Sequence, residues 1–394
     1  MVFRGALLAL LALSFAGCGN AGKATKADTF GWVQDGDDYA PPGEGGFDVR
    51  WSKQLTDQQE ARYIPVEMAS AAFDPPRRRV YIGTSDGNFF AFRIDGRRLW
   101  LYDTEAQIES QPVVDTRNGE IYLPALDGDL HALDADGNVR WIAELPGALR
   151  KRPILTDDAL YVVGENDIIT ALARSDGSTL WTYEKEIAEE ITIGGHAGML
   201  LANGKLYAAF TDGAVAAINP LDGRLIWEIE TATDVPIRQG DLPRFLDVDT
   251  TPVLFENTLF IASFTAGLYA LDAGSGTLEW RDAKFTAVTG LAVAGRTLIV
   301  ASARSGVSML DLRSREVLWE KAPERGAPTP PVVTERGTVL YGETQGSLLA
   351  LALSDGREVA RAEGGFGFSA IPTVSGGYGG ALSNGGRFLL LQVN

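Results

Sequence analysis

The chain has 394 residues and carries 35 Lys+Arg against 52 Asp+Glu, a formal net charge of −17. So acidic a surface repels phosphate backbones and anionic lipid heads, which excludes nucleic acid as a partner. With one cysteine and two histidines, it also lacks the material for an internal disulfide or for a common Cys/His metal site.

Residues 1–18 read MVFRGALLALLALSFAGC. Arg4 precedes an apolar run from Ala6 to Ala16, and the small pair Ala16-Gly17 leads to Cys18. The run is too short to span a bilayer and reads as an export signal over 1–17. An unpaired thiol in an oxidising compartment needs a reason. The segment resembles a lipoprotein signal, in which Cys18 becomes the acylated N-terminus and anchors the chain in outer-membrane lipid. Phe15 stands where that pattern prefers Leu. Gly19, in place of the Asp that favours inner-membrane retention, implies the periplasmic face of the outer membrane. An ordinary cleavable signal with an incidental cysteine is the alternative. Residues 18–47 are rich in Gly, Ala, Asp and Lys and include Pro41-Pro42, which predicts a flexible tether.

From residue 48 to 394 one pattern of two β-prone runs around a polar turn recurs, beginning with VYIGTSDGNFFAF (80–92) and ending with GGALSNGGRFLLL (379–391). Seven of the eight copies place glycine at the turn, among them Gly87, Gly128 and Gly346, and the third has Asp167 there. Such residues accept the positive φ of a tight turn, so each copy is predicted to be a β-hairpin. Most hairpins are followed by a tryptophan (Trp100, Trp141, Trp181, Trp227, Trp280, Trp319) and preceded by a short run opening on proline (Pro112, Pro153, Pro252, Pro331, Pro372). Proline is tolerated at a strand's start, where no ladder donor is lost. Four strands per repeat make a propeller blade.

Too few residues follow Gly386 for an eighth outer strand, and Trp51, in FDVRWSKQL (47–55), has no hairpin before it. The N-terminal segment is therefore predicted to supply the missing strand and close the ring, which removes free sheet edges. The expected fold is all-β, an eight-bladed propeller of four-stranded blades over 48–394. One tryptophan per blade reads as packing between sheets rather than as a ligand cage. Ala360 replaces it in the seventh blade, which predicts one looser seam. The basic runs Arg77-Arg78-Arg79 and Arg150-Lys151-Arg152 precede strands and read as solvated turns.

No catalytic constellation emerges. His131 falls within a hairpin strand and His196 in a glycine-bounded loop, neither with a metal-ligating neighbour in sequence, and no serine stands in a nucleophile motif. The reading is of a protein that is not an enzyme and holds neither cofactor nor metal.

The repeat resembles that of quinoprotein propellers. Dehydrogenases of that type use paired cysteines under pyrroloquinoline quinone, which a chain with one cysteine cannot supply. The run Arg244-Phe245-Leu246-Asp247-Val248-Asp249-Thr250-Thr251-Pro252-Val253 is more specific. It is similar to the Arg-Leu-x-Asp-Val-Asp-Thr-Thr-Pro-Val segment of the BamB family, lipoproteins of the outer-membrane β-barrel assembly machinery. The resemblance implies a scaffold that binds BamA through its POTRA domains, alongside the other subunits of the assembly complex, and helps barrel insertion. By position it assigns partner contacts to Arg244, Asp247 and Asp249, and to Ile191 and Ile193 in the preceding connection, with Gly194 where the family often has Arg. A periplasmic quinone-dependent oxidoreductase, or a propeller lipoprotein with another envelope partner, are the rival functions. Three connections between a tryptophan and the next hairpin are longer than the rest, 51→80, 181→206 and 227→259, and are predicted to emerge on one face, where function concentrates on such a ring.

Overall fold

The computed structural model describes residues 46–56, 67–185, 197–231 and 248–394. Among them every regular element is a strand, and the strands form eight separate four-stranded antiparallel sheets. The chain is an eight-bladed β-propeller.

The first blade sets the pattern, with strands Ala72–Asp74, Arg79–Gly83, Asn88–Arg93 and Arg98–Asp103 from the axis outward. Each predicted hairpin forms the two middle strands. These are buried on both faces because neighbouring sheets cover them, so they are largely apolar rather than alternating. The inner strands begin one residue after Pro112, Pro153, Pro252, Pro331 and Pro372. Asp167 adopts φ 60°, the left-handed conformation its glycine counterparts supply elsewhere. Gly346 is the exception, since it has no positive φ. Its need is room: a Cβ there would lie 2.3 Å from the carboxylate of Glu343.

In every outer strand but the seventh a tryptophan sits beside a register shift, as at Ala91↔Trp100 and Ala132↔Trp141. The bulge turns the ring toward the next blade, and in the first five blades an alanine opposite leaves space for it. Six of the indoles donate to a carbonyl of the following blade's outer turn: Trp51 to Ile94, Trp100 to Ala135, Trp141 to Arg174, Trp181 to Pro220, Trp227 to Ala273 and Trp319 to Leu353, at 2.8–3.2 Å. The tryptophans are inter-blade packing.

The strand Phe47–Gln54 pairs antiparallel with Arg387–Val393 as the outer strand of the eighth blade, and Asn394 N–H donates to the Gly46 carbonyl at 2.9 Å. The ring is closed as predicted. The seam at Ala360 is not left loose. Ala360 is fully buried in a cluster with Phe47, Phe368 and Leu389, so an aromatic side chain from the closing strand fills the space. The reason for the exception is topological. The outer turn that would accept a tryptophan's N–H is replaced there by the two ends of the propeller chain.

The basic runs are turns, but they pin blades together. Arg77 reaches the carbonyls of Thr116 and Arg117 in the second blade at 3.0 and 3.2 Å, and Arg150 pairs with both Glu109 and Glu165.

Candidate docking face

Strand order places the middle hairpin turns and the connections between blades on one face, and the remaining turns on the other. The three long connections contain 57–66, 186–196 and 232–247, so the described residues show their roots. Of the residues assigned as contacts, Asp249 lies among the described ones. Cys18, Ile191, Ile193, Arg244 and Asp247 lie outside them, as does His196.

The roots of the two long connections on adjacent blades meet. Gly198 N–H donates to Thr251 Oγ1 at 3.0 Å, tying the segment that follows one connection to the segment that follows the other. Val248 is buried, and its N–H reaches the Phe210 carbonyl at 3.4 Å. Thr250 accepts from Ala262 N–H at 2.8 Å, which fixes the entry to the inner strand. Thr329 does the same for Gly342 N–H at 2.9 Å, and Ser110 bonds the Pro124 carbonyl at 3.1 Å, each two residues before an inner-strand proline. The Val-Asp-Thr-Thr-Pro part of the run is thus a structural device of the repeat, used here to hold two connections side by side.

At the matching place in the third blade stands Lys151, which is half-buried. Burial pushes its ammonium below the usual range, and the charge of Asp249 opposes that shift. The negative charge of Asp249 therefore acts on a cation of its own chain. At the other root, Lys185 pairs with Asp212 at 2.7 Å and Glu228 at 3.3 Å, and Asp167 accepts from the Thr211 N–H and hydroxyl at 3.1 and 2.5 Å.

Two buried glutamates organise the rest of the face. Glu67 accepts from Thr56 Oγ1 and from the N–H and hydroxyl of Ser85, each at 2.9 Å. It joins the closing strand to the first blade. Glu343 accepts from the N–H groups of Glu324 and Arg325 at 2.7 and 3.1 Å. Burial raises the carboxyl pKa of both, with the hydrogen bonds opposing it. Their function as loop anchors was not legible in sequence, because both are read as solvated until their amide donors are known. His131, expected to be an ordinary strand residue, is 3 % exposed, and its Nδ1 lies 3.0 Å from Tyr102 Oη of the first blade.

A family model described as "Outer membrane protein assembly factor BamB" matches residues 91–321. The chain belongs to the BamB family. It is similar to the Outer membrane protein assembly factor BamB of Kangiella koreensis, 28% identical over 182 residues, which are 46% of this chain and 46% of that protein. The same-named protein of Pseudomonas aeruginosa is 28% identical over 206 residues, 52% of this chain and 53% of the relative. In these matches the chain spans about half the length of the curated relatives. The Bordetella pertussis relative aligns over 90% of this chain and 89% of its own length, at 23% identity. Among solved structures, BamB from Moraxella catarrhalis superposes with TM-score 0.71 at 21% identity, covering 88% of this chain and 99% of that one. The quinohemoprotein alcohol dehydrogenase of Comamonas testosteroni gives TM-score 0.67 at 13% identity, covering 88% and 76%. At these identities the structural matches show the fold alone.

Proposed function

We propose that this chain is a non-enzymatic scaffold of the outer-membrane β-barrel assembly machinery. Acylated Cys18 holds it at the periplasmic face, residues 18–47 act as the tether, and the propeller docks BamA POTRA domains through the connections 186–196 and 232–247. The observation that carries the reading is the Gly198–Thr251 bond, which brings the ends of those two connections to one spot on one face. Ile191 and Ile193 then supply apolar contact, and Arg244 and Asp247 supply polar specificity at its edge. Family membership supports this class of partner. Neighbouring blades held by buried carboxylates and indole bonds form a rigid base for the two connections. Co-purification from detergent-solubilised outer membranes tests it. BamA recovered in stoichiometric amount supports the reading, and its absence under conditions that keep the assembly complex intact contradicts it.

A further inference from the structure

The seam between the fifth and sixth blades breaks the pattern of the others. At five seams the tryptophan lies under a glycine of the next blade's outer turn: Gly137 on Trp100, Gly177 on Trp141, Gly223 on Trp181, Gly276 on Trp227 and Gly356 on Trp319. A Cβ on any of these glycines would come within 2.6–2.8 Å of the ring, so that ring pose and a side chain at that place exclude each other. Over Trp280 the residue is Arg315, held at φ 63° with its guanidinium 5.2 Å from the ring centroid. A non-glycine residue with positive φ costs of order 1 kcal/mol or more, and such strain gathers at functional sites.

The substitution has two consequences. Among the described residues, the Trp280 indole N–H has no acceptor, whereas its counterparts bond a carbonyl. A cavity of about 300 Å³ opens beside it, walled by Phe255, Trp280 and Leu312. Three guanidiniums rim this cavity, Arg296, Arg313 and Arg315. Arg296 lies 4.0 Å from Asp311, and among the described residues neither Arg313 nor Arg315 has a carboxylate within ion-pair distance. Glu256 and Glu279 also line it, with Glu279 accepting from Thr258 Oγ1 at 3.1 Å. Among the described residues two of its three cations are thus without a carboxylate at ion-pair distance, although two glutamates share the rim.

We propose that this cavity, on the face opposite the long connections, binds an acidic peptide segment of a partner protein, with a carboxylate beside an apolar side chain. The carboxylate takes the fork of Arg313 and Arg315 and the free indole N–H, and the apolar side chain lies on Trp280 and Phe255. Guanidinium stacked on an aromatic face is less hydrated than an ammonium, which favours pairing with carboxylate. The site is separate from the docking face and stands or falls independently of it.

The test is an array of 12-residue peptides permuting Asp or Glu with Phe, Leu or Tyr, probed with the full chain and with Arg315→Gly. That substitution restores the residue the other seams use. The expected result is that retained peptides need their carboxylates, that Arg315→Gly weakens them at least tenfold, and that its melting temperature is unchanged or higher as backbone strain is relieved. Arg313→Ala weakens the same peptides without changing the melt. The proposal is overturned if Asn/Gln versions bind equally, if Arg315→Gly binds as wild type, or if its melt falls, which makes Arg315 a structural cover. Retention by phosphatidylglycerol vesicles in place of peptides, lost in Arg315→Gly, overturns it in favour of a lipid head group.

Discussion

Trp51 of the closing strand donates its indole N–H to the carbonyl of Ile94 at 2.9 Å, across the boundary between the last blade and the first. It is 2 % exposed and meets Phe92 and Phe388 edge-on at 5.7 and 5.6 Å. Ring closure therefore rests on one large side chain packed between both neighbours. Trp51→Ala is expected to cost about 3–5 kcal/mol from the lost aromatic and the cavity left behind. Deleting 48–55 is expected to destabilise the whole propeller by exposing a strand edge. Denaturant melts check both, and an unchanged midpoint in either variant refutes the closure.

His131 gives the fold a pH dependence of definite sign. Burial lowers its imidazole pKa, and the charges of Asp129 and Asp127 oppose the shift. The unfolded chain takes up a proton near the ordinary value of about 6.5, while the folded chain resists it. The stability contributed is present above that value and is lost as pH falls through the folded pKa. Glu67 and Glu343 act in the opposite sense, since their raised pKa values add stability as pH falls toward 4.5. The difference between wild type and His131→Phe isolates the histidine. It is expected to change with pH below about 6.5 in favour of the variant, and a pH-independent difference contradicts a neutral His131 at the seam.

Cys18→Ala is expected to move the protein from the membrane fraction to the soluble periplasm while leaving its melt unchanged. In sequence Cys18 stands well ahead of Gly46, where the described propeller begins. Fractionation reads the result, and a variant that stays in the pellet contradicts the anchor.

Most of the fold was legible because each blade repeats a local signal: a turn residue with positive φ, a proline at the inner strand and a tryptophan at a bulge. The departures were not, because they depend on what lies across a seam. Ala360 looked like a weakness until Phe47 was seen to fill its place. Gly346 looked like one more turn glycine, but its role is to admit the Glu343 carboxylate. The candidate site was legible only in part for the same reason. The Asp-Val-Asp-Thr-Thr-Pro run stands out in sequence, yet Lys151, the cation on which Asp249 acts, comes from the third blade, and the repeat does not show that the two charges meet. Arg315 does not stand out in the sequence, because a polar turn residue carries no sign that its counterparts are glycine for want of space.

The central claim is that two neighbouring connections dock BamA, and the most direct measurement is the affinity of full-length BamA in detergent for the wild-type chain and for Ile191→Asp/Ile193→Asp. Asp247→Arg is measured in parallel, and Asp249→Arg separately, because Asp249 also faces Lys151. The account predicts that the double isoleucine variant loses at least tenfold in affinity, about 1.4 kcal/mol, with an unchanged melt. It predicts a similar loss for Asp247→Arg and a loss accompanied by lower stability for Asp249→Arg. Wild-type affinity in the isoleucine and Asp247 variants, with the fold intact, would contradict it.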